Sequence, residues 1–171
     1  HGAPLERNAH PHADNKKEFF VVHNGIVENY QAIKAALQKK GVVFHSDTDT
    51  EVIPQLLADE YRKSGNVEQA FLETVRQLRG AYSIVMVTPH ATDTIYAARL
   101  SSPLVIGLGE QENFVASDPT PIMEHTKKVI FLNDYEVAVI TKKDARVVSL
   151  QNGQETPRTP EELDYDPESV A

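Results

Sequence analysis

A change of pattern at Gly80 is the feature that most constrains the fold of this chain. After it come seven short segments rich in Val, Ile, Tyr and Phe, separated by turn residues such as Pro89, Pro103 and Asn133. Short runs of β-branched and aromatic residues at this spacing predict antiparallel strands. The predicted strands cover residues 81–88, 93–100, 104–108, 113–116, 127–132, 135–141 and 146–150.

The segment before Gly80 predicts helices instead. Apolar residues recur at helical spacing in three stretches, and a glycine follows each of them, which is typical of helix C-termini. The three stretches are 26–37, 52–61 and 67–78, and the glycines are Gly41, Gly65 and Gly80. Thr48 or Asp49 is predicted to cap the second helix, and Asn66, with Gln69 three residues later, the third.

The order of these elements predicts an α+β fold in which helices are layered on antiparallel sheets. An apolar run over residues 18–23 precedes the helices and predicts a buried strand that ends in a turn at Asn24-Gly25. The run over 83–87 shows little alternation of polar and apolar residues, which indicates strands covered on both faces and more than one sheet. The 171 residues suit one domain.

Composition excludes several classes of function. The chain has no cysteine, so these residues form no disulfide, no thiolate metal site and no cysteine nucleophile. The net charge of −8, without a basic stripe, argues against nucleic-acid binding. No apolar run approaches the ~20 residues that span a bilayer, so we expect no membrane contact. His10-Pro11-His12 lacks the spacing of a metal motif, and we expect neither a metal nor a cofactor.

Asn24 and Gly25 form the first candidate site. A glycine N–H is sterically open and an asparagine amide is a second donor, so together they can stabilise an oxyanion. The alternative is a tight turn between a strand and a helix.

The polar segment from Ser46 to Glu51 is the second candidate. A carboxylate there could bind the α-ammonium group of an amino acid. The alternative is a helix start, because Asp and Thr are favoured caps and acidic residues suit the positive end of the helix dipole.

Seven motifs occur in an order that resembles the glutaminase domains of the isomerizing glutamine–fructose-6-phosphate aminotransferase family, also called glucosamine-6-phosphate synthases. The resemblance covers nearly all of residues 1–150. The motifs are His1-Gly2-x-Pro4, Asn8-Ala9-His10-Pro11-His12, the run from His23 to Tyr30, the run from Ser46 to Val52, Leu78-Arg79-Gly80-Ala81-Tyr82, the run from Ser102 to Gly109 and the run from Glu112 to Asp118.

This resemblance implies a class II glutamine amidotransferase with the αββα sandwich of N-terminal-nucleophile hydrolases. In that family an N-terminal cysteine attacks the glutamine amide, and ammonia passes to a sugar-isomerase domain that converts fructose 6-phosphate into glucosamine 6-phosphate. Carried over by motif, Asn24 and Gly25 resemble the oxyanion hole, and Asp49 the anchor of the α-amino group. Gly25 also resembles a main-chain contact to L-glutamine or L-glutamate, and His1 resembles the last residue of an Arg-Trp-x-Thr-His segment that lines the pocket.

The chain departs from the family pattern at both ends. The cysteine and the segment that carries it are absent, so we expect a sheet with exposed edges and no glutamine hydrolysis by this polypeptide alone. Residues 1–150 are expected to form the C-terminal major part of the glutaminase domain. Residues 151–171, with three prolines, are expected to form an extended linker toward a sugar-isomerase domain absent from the chain.

Two other functions stay open from the sequence. One is the glutaminase part of an enzyme of the amidophosphoribosyltransferase or asparagine-synthetase type, and the other is a non-catalytic module that binds glutamine. For the longer enzyme the resemblance implies a homo-oligomer in the cytoplasm.

Overall fold

The computed structural model describes residues 2–164, in which two sheets and four α-helices form. The strands are β1 (His12–Ala13), β2 (Phe20–Val27), β3 (Gly80–Val87), β4 (Ile95–Leu100), β5 (Val105–Leu108), β6 (Asn113–Ala116), β7 (Lys128–Phe131), β8 (Glu136–Ile140), β9 (Ala145–Ser149) and β10 (Glu161–Glu162). The helices are α1 (Tyr30–Lys39), α2 (Val52–Ser64), α3 (Val67–Gln77) and α4 (Thr120–Met123), and short 3₁₀ turns cover Glu6–Asn8 and Pro89–Ala91.

The layers follow the order helix, sheet, sheet, helix. A six-stranded sheet has the order β1-β2-β3-β4-β8-β9, and a four-stranded sheet the order β10-β7-β5-β6. All strand pairs in both sheets are antiparallel. The predicted α+β sandwich of antiparallel sheets between helical layers is therefore confirmed, and so are all seven strands predicted after residue 80.

Three apolar clusters hold these layers together. Leu57 of α2 and Phe71 of α3 pack with Ile84 of β3 on one face of the six-stranded sheet. A second cluster, which includes Ile106 and Leu132, fills the space between the two sheets. On the outer face of the four-stranded sheet, Ile122 of α4 packs with Val105 and Val129. Each sheet is thus covered on both faces where these clusters lie, which explains the near-continuous apolar runs in the sequence.

The structure corrects the sequence analysis at Asn24-Gly25. Strand β2 does not end in a turn there but runs on to Val27, with Asn24 opposite Ser83 and Gly25 opposite Tyr82. Gly25 keeps this register at φ +107°, and a Cβ atom at that position would lie 2.1 Å from the main-chain oxygen of Ala81. Only glycine fits such a close approach inside a strand. Helix α1 accordingly begins at Tyr30 rather than at Ile26.

Two of the three predicted glycine C-termini are confirmed, at Gly41 and Gly65, whereas α3 ends at Gln77 and Gly80 begins β3. Gly41 follows α1 in a Schellman arrangement, because its N–H donates to Gln38 and the N–H of Val42 donates to Leu37. Gly65 ends α2 in the left-handed conformation.

The predicted N-caps have different outcomes. The side chain of Asn66 caps α3 by accepting from the N–H of Gln69. The predicted cap of α2 by Thr48 or Asp49 is wrong, since the helix begins after Glu51 and no side chain caps it.

Strand β2 has a largely open outer edge. Strand β1 pairs with it only at Phe20 and Val21, and no other described strand lies beside the rest of that edge. Val22 is 41% exposed and Ile26 is 56% exposed, which is unusual for large apolar side chains on a sheet. Within residues 2–164, no helix is both long enough and apolar enough to cross a bilayer.

The segment from Gln154 to Leu163, which we call the strap, is extended and contacts both sheets. The N–H of Thr156 donates to Val147 of β9, and Leu163 donates to Lys127 beside β7. The guanidinium of Arg158 bonds the carboxylate of Glu136 on β8 and the carbonyl of Phe131 on β7. The described part of the predicted linker is therefore fastened to the domain, and residues 165–171 lie outside the described residues.

Two glycine substitutions test the close approach at β2. We expect Gly25→Ala to lower the free energy of unfolding by more than ~3 kcal/mol, because a main-chain oxygen cannot move away from the new methyl group. Gly41→Ala is the control, since its φ of +90° is also left-handed but its Cβ position is open. It should cost only about 1–2 kcal/mol. Urea unfolding measures both, and equal losses would contradict the interpretation.

Candidate active site

The polar segment from Ser46 to Glu51 is held in place by the carboxylate of Glu51. This side chain is 3% exposed. It accepts hydrogen bonds from the main-chain N–H groups of His45 and Ser46, and from the side-chain amide of Gln55 at 3.2 Å. Because its oxygens already have protein donors, Glu51 has a structural role and fixes the shape of the segment.

Asp47 points outward and connects the segment to the N-terminal loop. Its carboxylate lies 3.0 Å from the guanidinium of Arg7, and its N–H donates to the side chain of Asn8 at 2.9 Å. The hydrogen bond and charge of Arg7 hold the pKa of Asp47 below its usual value. Its side chain is more than half exposed, so this ion pair contributes little to stability.

Asp49 differs from both of its acidic neighbours. It is 7% exposed, and its Oδ2 accepts the main-chain N–H of Val27 at 2.7 Å. Its Oδ1 is buried, and no residue among 2–164 gives it a hydrogen bond. A buried carboxylate oxygen without a donor is costly, so such an atom in a native fold calls for a ligand or another explanation. Among the acidic side chains of this segment, Asp49 is the one with a buried oxygen that receives no hydrogen bond from residues 2–164.

The bond between Val27 and Asp49 also places Asp49 at the open edge of β2. Val27 lies two residues beyond Gly25 on β2. The structure therefore brings two of the predicted site residues, Gly25 and Asp49, close together along one strand, although the sequence separates them.

Asn24 lies on the same strand, but its side chain faces a cleft that Asp49 does not line. Its side chain is exposed, and it lines a cleft of about 160 Å³ that β2 and β3 share with the edge of the four-stranded sheet. Ser83, directly opposite Asn24 on β3, and Val115 of β6 also line this cleft. The amide of Asn24 is thus open to a small molecule or a further chain segment. His1, the remaining predicted site residue, lies outside the described residues.

Two buried histidines complete the network around Asp49. His23 is 5% exposed, and its Nδ1 lies 2.9 Å from the hydroxyl of Thr50. His12 is also 5% exposed and lies 3.2 Å from the hydroxyl of Thr48. Burial lowers the pKa of both histidines, and the nearby His10 lowers each further, while Asp49 acts in the opposite direction. Sequence reasoning did not find these contacts, because each partner lies far along the chain.

No group of three or more His, Asp or Glu side chains in the described part of the chain is arranged to hold a metal ion. The groups along β2 are the carboxylate of Asp49, the carboxamide of Asn24 and main-chain donors. Such a set can bind an ammonium group through Asp49 and stabilise a developing negative charge through Asn24 and Gly25.

Comparisons with known proteins connect this chain with glutamine amidotransferases. A family profile described as "Glutamine amidotransferase domain" matches residues 3–124. Glutamine–fructose-6-phosphate aminotransferase (isomerizing) of Aquifex aeolicus is 47% identical over 151 residues, which are 88% of this chain and 25% of the relative. The enzyme of the same name from Escherichia coli is 44% identical over 168 residues, 97% of this chain and 27% of the relative. The chain thus spans about a quarter of the length of these relatives.

Solved structures show the same fold at lower identity. The glutamine phosphoribosylpyrophosphate amidotransferase of B. subtilis superposes with a TM-score of 0.70 at 22% identity, covering 88% of this chain and 33% of that one. A glutamine aminotransferase class-II domain protein of Silicibacter pomeroyi gives a TM-score of 0.60 at 16% identity, over 85% of this chain and 72% of that one. At these identities the likeness concerns the fold alone.

The buried histidines predict a pH dependence of stability. Both pKa values are lowered in the folded chain, so the unfolded chain takes up protons first as the pH falls through 6.5, the ordinary value. The free energy of unfolding should then decrease toward acid pH, by up to about 1.4 kcal/mol per pH unit for each group. Urea unfolding between about pH 7.5 and 5.5 measures this slope.

Two substitutions test whether His12 and His23 cause this pH dependence of the free energy of unfolding. His12→Gln and His23→Asn keep a polar atom at the bonded position but cannot take up a proton in this pH range. Together they should make the free energy of unfolding less dependent on pH. His45→Gln, at an exposed position, serves as control. An unchanged slope in the double variant would show that other groups cause it.

Proposed function

This chain belongs to the glutamine amidotransferase domain family, and we propose that it forms the glutamine-hydrolysing part of an isomerizing glutamine–fructose-6-phosphate aminotransferase. Residues 1–150 would form most of the glutaminase domain, and residues 151–171 would lead toward a sugar-isomerase domain. The activity of that longer enzyme would be the transfer of ammonia from L-glutamine to fructose 6-phosphate, which yields glucosamine 6-phosphate. We further propose that it works as a cytoplasmic homo-oligomer, as the family resemblance implies.

The buried Oδ1 of Asp49, which receives no hydrogen bond from residues 2–164, is the observation that carries this proposal. It is a buried carboxylate oxygen beside β2, and the other oxygen of Asp49 already accepts the N–H of Val27. The α-ammonium group of glutamine supplies the missing donors and a compensating charge. Such recognition also discriminates against ligands without an amino group, because they leave the buried carboxylate unpaired.

Asn24 and Gly25 would stabilise the oxyanion that forms when the glutamine amide is attacked. Two donors aimed at one developing charge are the usual arrangement in acyl transfer. The side-chain amide of Asn24 is open to the cleft, and Gly25 has no side chain that could cover its N–H. His1 would line the same pocket as part of the motif to which the family resemblance assigns it.

The nucleophile would come from a segment outside these 171 residues, since they contain no cysteine. Its thiolate would attack the amide carbon, and the C–N bond would break as the leaving nitrogen takes a proton and departs as ammonia. Water would then hydrolyse the thioester and release L-glutamate. Without that segment the described residues supply a substrate anchor and an oxyanion hole but no attacking group.

The other functions considered from the sequence are not favoured. The likeness to phosphoribosylpyrophosphate amidotransferase rests on 22% identity and concerns the fold. Identities of 42–49% connect the chain instead with curated enzymes that share the fructose-6-phosphate aminotransferase name.

A glutaminase assay on two polypeptides tests the proposed function. The full-length polypeptide that contains this chain should release glutamate from glutamine, and fructose 6-phosphate should yield glucosamine 6-phosphate in the same reaction. The 171-residue chain alone should release no glutamate above the uncatalysed rate. Turnover by the 171-residue chain, or none by the full-length polypeptide, would contradict the proposal.

Two substitutions in the full-length polypeptide separate the proposed roles. Asp49→Asn keeps an acceptor for Val27 but removes the charge, so kcat/KM for glutamine should fall by about 10²-fold or more while stability is kept. Asn24→Ala should lower kcat by roughly 10²–10³-fold with little change in KM, as expected for the loss of one oxyanion donor. Steady-state kinetics of glutamate release measure both. Wild-type kinetics in Asp49→Asn would remove Asp49 from the site.

A further inference from the structure

We propose that His23 is a positioning residue of this site, which acts through Thr50 on Asp49. Its hydrogen bond to Thr50 fixes Asp49 relative to Asn24 and Gly25. This inference rests on the proposed function, because it concerns how the same site binds glutamine.

The positions along the chain are the first argument. His23 directly precedes Asn24 on β2, and Thr50 directly follows Asp49, so one hydrogen bond of 2.9 Å joins the two halves of the site. Both side chains are nearly inaccessible, at 5% and 3% exposure. A polar contact buried this deeply is costly to break, because neither group can turn to water instead.

A second hydrogen bond also attaches this segment to β2, and we call the two bonds, His23 to Thr50 and Val27 to Asp49, the clamp. The N–H of Val27 donates to Oδ2 of Asp49 at 2.7 Å. The dipeptide Asp49-Thr50 is therefore attached to β2 on both sides of Gly25, at His23 and at Val27. Glu51 holds the segment as a whole, and the bond between Thr50 and His23 fixes the main chain next to Asp49 against β2. The two bonds to β2 together limit where Oδ1 can lie.

The charges around His23 are the second argument. Asp49 on the polar segment and the carbonyl of Ala81 on β3 favour a protonated imidazole. Burial, His10 on the N-terminal loop and His12 on β1 oppose it, and together they lower the pKa of His23. A protonated His23 would be a permanent counter-ion of Asp49 and would compete with the ammonium group of a ligand. The neutral imidazole keeps the full charge of Asp49 for that ligand.

A pair of matched variants in the full-length polypeptide tests the clamp. Thr50→Val keeps the shape of the side chain and removes its hydroxyl, so KM for glutamine should rise about 10-fold, with kcat changed less than about twofold. Thr50→Ser keeps the hydroxyl and should stay within about twofold of the wild-type KM. Equal KM values in Thr50→Val and the wild type would overturn the proposal, even if Thr50→Val lowers the melting temperature.

A double variant separates positioning from general destabilisation. In an Asp49→Asn background, Thr50→Val should cause no further rise in KM, since the carboxylate that it positions is gone. The same rise in both backgrounds would mean that Thr50 acts independently of Asp49, and would also overturn the proposal.

The pH dependence of KM tests the charge of His23. In the wild type, KM should increase as the pH falls from about 7.5 to 5.5, because protonated His23 competes for Asp49. His23→Asn retains a polar atom near Thr50 without a titrating group, and it should give a flatter profile. Identical profiles would refute the electrostatic role.

These outcomes are distinct from a failure of the proposed function. If the wild-type full-length polypeptide does not hydrolyse glutamine, the proposed function itself is wrong. If it does, and Asp49→Asn is impaired while the Thr50 and His23 variants behave like the wild type, only the role of His23 is wrong.

Discussion

The hydrogen bond between the N–H of Val27 and the carboxylate of Asp49 is the interaction on which the candidate site depends. It attaches the polar segment before α2 to the edge of β2, and so joins the helical layer to the sheet at the place where Gly25 lies. The ladder between β2 and β3 fixes that place in turn, because its eight residue pairs set the register of Asn24 and Gly25. Packing of α2 and α3 on the same sheet keeps the segment close to the strand.

Three neighbouring acidic residues show how environment divides similar side chains. Glu51 uses its carboxylate to hold two main-chain N–H groups, and Asp47 pairs with Arg7 at the surface. Asp49 has one oxygen bonded to Val27 and a second that receives no hydrogen bond from residues 2–164. From local sequence alone, a helix start accounts for all three, because acidic residues suit the positive end of the helix dipole. The distinction arises from main-chain donors elsewhere in the chain, which local patterns do not contain.

Much of the fold could be predicted from the sequence, since hydrophobic period and turn residues act locally. The seven strands after Gly80 and the helices α2 and α3 follow from such patterns, whereas β1 and β10, two residues each, are too short to leave one. The turn expected at Asn24-Gly25 was wrong because the same dipeptide also suits a strand with a close neighbour, and Ala81 supplies that neighbour from far along the chain. The contact between His23 and Thr50 was missed for the same reason, as the two residues meet only in the folded state.

The strap has a mechanical consequence. Apolar contact between two sheets has no preferred direction, so it opposes separation more than lateral displacement. Arg158 adds a planar group with fixed bonding directions, and it joins Glu136 on one sheet to Phe131 on the other. These directed bonds therefore oppose lateral displacement of one sheet relative to the other. The cleft beside Asn24 is walled by the same two sheets, so it lies between the two layers whose relative position Arg158 helps to hold.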